Sequence, residues 1–175
     1  FGGRSQLAIY HFMLTPGSDH ICPGCSFTAD HVDAARQHFE RADLAFAAIS
    51  RAPIGQIEEV RARLGWSFLW VSSGDSDFNY DFHVTLDEAI APVAYNYRDK
   101  AELEKLNRPN VMQGESHGLS IFFHLGDDVF HTYSTYARGV ESLTDTYSLL
   151  DMTPYGRQED FEDSPPGYPQ KPTYG

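Results

Sequence analysis

Apolar residues along the chain fall into short runs separated by stretches of helical spacing. Leu7-Ala8-Ile9-Tyr10-His11-Phe12-Met13 is the first run, and a strand is predicted at about Gln6–Met13, entered through the turn Phe1-Gly2-Gly3-Arg4-Ser5. After a loop at Thr15-Pro16-Gly17-Ser18-Asp19, Phe27, Ala34, Ala35, Phe39 and Ala42 supply one face of a helix running to about Arg41. Asp43–Ser50 is then nearly continuous in apolar residues, as expected of a buried parallel strand. Pro53 opens a second helix, with Ile54, Ile57, Val60 and Leu64 on one face and Gly65 at its end. A third strand is predicted at about Ser67–Ser72. This β-α-β-α-β alternation implies parallel pairing with right-handed crossovers.

From Ser73 to Gly118 the rhythm breaks, through Ser73-Gly74-Asp75-Ser76-Asp77, Phe78-Asn79-Tyr80-Asp81-Phe82 and the charged segment Arg98–Arg108. Leu119–His124 and Val129–Tyr133 then flank Leu125-Gly126-Asp127-Asp128, a hairpin signal. One last amphipathic helix is predicted on Val140, Leu143, Tyr147 and Leu150, stopped by Asp151-Met152-Thr153-Pro154. Beyond it proline, glycine and acids dominate, so the expected organisation is one domain over residues 1–155 and an extended or mobile tail over 156–175.

Composition narrows the classes. A chain of 175 residues, 41% hydrophobic and 14% aromatic, suffices for one substantial core and is too short for two ordinary domains. Its formal charge of −12, from 25 acidic against 13 basic residues, opposes binding to nucleic acid or an anionic membrane. The three lysines, Lys100, Lys105 and Lys171, build no basic patch, and no apolar run approaches the roughly 18–20 residues that span a bilayer. No signal peptide is visible. The start at Phe1 rather than Met is expected of a processed or truncated product, and any targeting segment would be lost with the missing start. With both cysteines in one motif, a disulfide-stapled secreted scaffold is disfavoured and a cytoplasmic location is the expectation.

That motif is Cys22-Pro23-Gly24-Cys25. It lies between the first strand and the first helix, and strand, Cys-X-X-Cys and helix in that order form the redox signature of a thioredoxin-like fold. A helix start offers unpaired N–H groups and the positive end of the macrodipole, which favour a thiolate. Such a site lowers a cysteine from about 8.5 to roughly 3.5–7.5. Pro23 fixes one backbone angle and Gly24 tolerates most, which suits a tight entry into a helix. Competing readings are a static structural disulfide, half of a zinc site and two unrelated buried thiols. Two cysteines exclude a four-cysteine zinc site, and His31 and His38, six residues apart, fall outside zinc-finger spacing. His20, two residues before Cys22, could stabilise its thiolate or carry a proton. His11, His124 and His131 lie on predicted strands and read as hydrogen-bonded core or face histidines. Asp75, Asp77, Asn79 and Asp81 resemble the opening of a calcium loop, but Tyr80 and Leu86 stand where glycine and glutamate are required. Trp66, Trp70, Tyr80 and Phe82 are expected in the core or along a pocket beside the dithiol, and Arg138 near Tyr133 is a further candidate to face it.

Taken together, Gln6-Leu7…Tyr10-His11-Phe12-Met13, Cys22-Pro23-Gly24-Cys25-Ser26-Phe27, Ser50-Arg51-Ala52-Pro53, Gly65-Trp66…Trp70-Val71-Ser72-Ser73, Asp77-Phe78-Asn79-Tyr80-Asp81-Phe82, Phe130-His131-Thr132-Tyr133-Ser134 and Ala137-Arg138-Gly139 resemble a family of uncharacterised thioredoxin-like proteins. That family carries a domain-of-unknown-function name and the label predicted dithiol-disulfide oxidoreductase. The resemblance covers about residues 1 to 159, and members usually have a further N-terminal segment. It implies an α/β, thioredoxin-like fold with an enlarged connection before the C-terminal β-hairpin. Thioredoxins place a cis-proline opposite the dithiol, where it helps bind extended substrates; the corresponding stretch is Ser116-His117-Gly118-Leu119, with no proline. His117 near two thiols keeps metal binding open. Peroxiredoxins carry Thr or Ser three residues before the peroxidatic cysteine, where Asp19 precedes Cys22 and Cys22 precedes Cys25, so a peroxidase of that type is unsupported.

The expected activity is thiol–disulfide exchange, with Cys22 attacking and Cys25 resolving, supported by Pro23, Gly24, His20 and His117. No organic cofactor is needed, and a thiol protein or small thiol would be the redox partner. The alternatives are a zinc or copper protein using both cysteines and a histidine, and an interaction module in which the dithiol is incidental.

Overall fold

The computed structural model describes residues 1–106 and 112–158 together with Pro166. Most of the expected tail, and the Arg108 end of the charged segment, lie outside the described residues. Strand β1 (Gln6–His11) leads through a loop to helix α1 (Pro23–Arg41), followed by β2 (Leu44–Ser50), α2 (Ile54–Leu64) and β3 (Leu69–Ser72). β1 pairs in parallel with β2, and β2 with β3. Right-handed crossovers that keep stepping to the same side set both helices on one face of the sheet. There Ala8, Tyr10 and Phe12 meet Ala29 and Val32 of α1 and Ile57 and Val60 of α2 in the main core.

The connection from β3 to the terminal hairpin is enlarged, as expected. It holds a short helix α3 (Phe78–Asp81), strand β4 (Thr85–Leu86), the small hairpin β5 (Ala94–Tyr95) and β6 (Arg98–Asp99), helix α4 (Lys100–Lys105) and strand β7 (Gly114–Glu115). Asp99 and Glu102 cap α4 reciprocally. Val84, Leu86, Val93, Tyr95 and Leu103 gather with Tyr136 into a second, smaller core. Strands β8 (Gly118–Leu125) and β9 (Asp128–Tyr136) complete a five-stranded sheet of order β3-β2-β1-β8-β9, with β8 antiparallel to both neighbours. Among the described residues no helix is long and apolar enough to cross a membrane.

Three local expectations are corrected. The buried stripe of α1 is Cys25, Thr28, Ala29 and Val32, whereas Ala34, Ala35 and Ala42 are exposed. Cys25 belongs to the stripe, so the sulfur itself faces the sheet. In α2 only the central pair, Ile57 and Val60, is buried, while Ile54 and Leu64 stay exposed. The single C-terminal helix is two pieces, a 3-10 helix (Ala137–Leu143) and helix α5 (Asp145–Asp151). Thr144 breaks them with extended angles, and its hydroxyl donates to the Glu141 carbonyl at 2.6 Å. Val140 and Tyr147 are buried as expected, but Leu143 and Leu150 are only half-buried.

Candidate functional site

Cys22 is the N-cap of α1, and Pro23 begins the helix without needing an N–H bond. The first-turn amides therefore point at the Cys22 sulfur, which accepts from the Cys25 N–H at 3.3 Å. Hydrogen bonding from the Cys25 thiol, joined by the Cys25 and Gly24 amides, outweighs partial burial and lowers the Cys22 thiol to about 7. One turn deeper, Cys25 is fully buried. Burial, followed by the adjacent Cys22, pushes its thiol well up, and the Met13 amide and Tyr10 hydroxyl offset only part of this. Both cysteines are free, so two chemically distinct thiols stand side by side.

Tyr10 reaches this pair because side chains alternate along β1, which turns Ala8, Tyr10 and Phe12 toward α1. Its hydroxyl is hydrogen-bonded with Cys25 and Thr28, and burial raises its own ionisation well above the ordinary value.

The thiols open into a cavity of about 430 Å³. Phe27, Val140 and Tyr147 give it apolar lining, and Ser116, His117, Arg138 and Glu141 line it as well. His117 Nε2 donates to the Ala137 carbonyl at 3.2 Å, and burial lowers the imidazole's pKa. Tyr95 joins the same lattice, donating to the His117 carbonyl and accepting from the Ala137 N–H, both at 3.1 Å. Burial pushes the Tyr95 hydroxyl up to about 12. Ala137 holds this position with a φ of 49°, a left-handed conformation unusual for alanine.

The sequence-derived candidates thus separate. Cys22, Pro23, Gly24, Cys25 and His117 share the cavity, as does Arg138. His20 lies exposed on the loop and is not among the cavity's lining residues. Trp66 and Trp70 belong to the main core, Phe82 packs on His11 from the opposite face, and Tyr80 lies under Arg51. The calcium-like stretch is not convergent: Asn79 turns inward to accept from the Ser73 hydroxyl at 2.7 Å. Among the described residues no group of three or more His, Cys, Asp or Glu side chains is arranged to hold a metal. Tyr10, Tyr95 and Tyr147 were missed as site residues. Only Tyr10 carried a signal, being a polar-tipped aromatic on the strand face that the dithiol helix must cover.

The parallel crossovers, the antiparallel hairpin and the dithiol at the start of α1 define a thioredoxin-like α/β protein with an enlarged connection before its C-terminal hairpin. Over residues 1–173 the chain matches a family described as bacterial protein of unknown function (DUF899), and it belongs to that family. No curated protein matches it in sequence. Among solved structures it is similar to a mutant of peroxiredoxin Q from Xanthomonas campestris, at 16% identity and a TM-score of 0.49, over 83% of this chain and 79% of that one. It is also similar to a cysteine-to-serine mutant of PrxQ from Xylella fastidiosa, at 13% identity and a TM-score of 0.50, over 83% of this chain and 77% of that one. At such identity the latter likeness bears on the fold alone.

Proposed function

We propose that the protein is a thiol–disulfide oxidoreductase in which Cys22 attacks and Cys25 resolves. The observation that carries this reading is the inequality of the two thiols. Cys22, half-buried at a helix start, ionises at about 7, whereas Cys25 is buried and held protonated beside it. A nucleophile near neutral pKa keeps a large thiolate fraction without losing its nucleophilicity. A buried second thiol is protected from outside reagents yet adjacent to the sulfur it must attack. Pro23 and Gly24 shape the entry that aims the amides, and His117 bounds the cavity as a neutral imidazole. A thiol protein or small thiol would supply or accept the electrons.

The test is exchange activity with Cys22→Ser and Cys25→Ser proteins. Cys22→Ser is expected to abolish turnover, and Cys25→Ser to stall at a mixed disulfide on Cys22 that is visible by mass. Full turnover in Cys22→Ser would overturn the reading.

A further inference from the structure

We propose that the cavity beside the dithiol is built for a small organic disulfide with an apolar body, rather than for an extended stretch of polypeptide. This rests on the exchange reading and adds its substrate class. Two independent observations carry it.

The first concerns backbone. An extended chain docks beside a strand by pairing with N–H and C=O groups that are still open. On the Ser116–His117 segment, which lines the cavity together with both cysteines, two of these groups are engaged internally. The Ser116 N–H donates to the Val84 carbonyl at 2.7 Å, and the His117 carbonyl accepts from the Tyr95 hydroxyl at 3.1 Å. Whichever of the two residues lies nearer the attacking sulfur, one member of its pairing set is taken. Tyr95 also accepts from the Ala137 N–H, so releasing the segment would break a connected set of bonds rather than one.

The second concerns shape. A cavity of about 430 Å³ falls within the roughly 300–1,000 Å³ of small-ligand sites, which are mostly apolar with few polar groups. Phe27, Val140 and Tyr147 supply the apolar wall, and that wall is pinned. His31 on α1 meets the Thr146 hydroxyl of α5 at 2.7 Å, and Arg157 ties Asp151 to Glu141 at 2.8 and 2.9 Å. A fixed wall beside a backbone whose pairing set is already half taken selects a compact body.

In the reaction the Cys22 thiolate attacks one sulfur of R–S–S–R. The S–S bond breaks, RS⁻ departs, and Cys22–S–S–R forms. Cys25 then attacks the Cys22 sulfur, its proton passing to the second departing RS⁻. The small disulfide gains two electrons and becomes two thiols, and the protein ends as the Cys22–Cys25 disulfide, to be reduced again by an external thiol.

The experiment measures single-turnover oxidation of the reduced full chain by dithiodipyridine and by insulin, each rate divided by that of dithiothreitol with the same disulfide. The small disulfide is expected to exceed insulin by about tenfold or more, with a rate that saturates as its concentration rises. Val140→Phe, which fills the cavity, is expected to lower the dithiodipyridine rate about tenfold. The wild-type comparison stands even if that variant fails to fold. An equal or greater normalised rate with insulin would overturn this inference and leave the exchange reading intact. A dithiol inert to both disulfides would overturn the exchange reading, and this inference with it.

Discussion

Tyr10 and His11 are neighbours in the chain and point to opposite faces of the sheet, and the two faces are built on different physics. On the Tyr10 side, α1 and α2 cover a core of tilted and edge-on aromatics in which Phe12, Trp66 and Trp70 lie with ring centroids 4.4 to 5.8 Å apart. On the His11 side, a hydrogen-bonded chain crosses three strands, from His11 through Ser120 and Ser134 to His131, with links of 2.7 to 2.8 Å. The rings of Phe78 and Phe82 close over its inner end. Hydrogen-bonded imidazoles hold strands together only while they keep their protonation states; packed apolar rings have no such condition. One face of the sheet is therefore expected to be indifferent to acid and the other sensitive to it.

The largest effect should come from breaking the apolar face. Trp70 is fully buried, and its Nε1–H donates to the Ser50 hydroxyl at 3.0 Å. Trp70→Ala is expected to cost about 3–5 kcal/mol, measured as a loss of urea stability, and about equally at neutral and mildly acidic pH.

The opposite face should respond to acid. Burial, reinforced by His131, lowers His11 to about 3, and its Nδ1 has no hydrogen-bond partner. An unfolded imidazole protonates near 6.5. Between those values the unfolded chain binds the extra proton, so stability falls as pH falls; above 6.5 the contribution is constant. The slope is roughly 1.4 kcal/mol per pH unit for one such group. His11→Phe leaves the Ser120–Ser134 link in place and removes the titration. Lowering the pH from 7 to 5 is expected to cost the wild type about 2 kcal/mol more than the variant. Parallel pH profiles would mean that His11 is not the proton-sensitive group of this face.

The same comparison explains what could be read from sequence. β1, α1, β2, α2 and the terminal hairpin were legible because their signals are local. Gly65 ends α2 with a φ of 76°, and Gly126 turns the hairpin with a φ of 64°. The dithiol and its helix start are equally local. The cavity is not. Tyr95 arrives on a small hairpin whose turn residues, Asn96 and Tyr97, adopt positive φ without glycine, and Val140 and Tyr147 sit on two short helices that read as one. His20 shows the converse: two residues from Cys22 in sequence, it is exposed, while distant His117 lines the cavity. The hydrogen-bonded chain behind β1 was equally hidden, since nothing in spacing pairs Ser120 with His11 across 109 residues.

The smallest expected effect is the one that joins the faces to the chemistry. Tyr10 contributes a hydroxyl to a mostly apolar face, and that hydroxyl is hydrogen-bonded with the Cys25 sulfur. Resolution requires negative charge to develop on Cys25 in a buried site, where each donor to the sulfur counts. Tyr10→Phe keeps the ring and its packing while deleting the donor. A lost hydrogen bond of about 1 kcal/mol corresponds to roughly fivefold in rate. In single turnover with dithiodipyridine, release of the first pyridinethione by Cys22 should be unchanged, and release of the second should slow by about that factor. Equal slowing of both steps would mean that Tyr10 acts through folding alone. Unchanged release of both would mean that Cys25 draws its activation from the Met13 amide without help from the tyrosine.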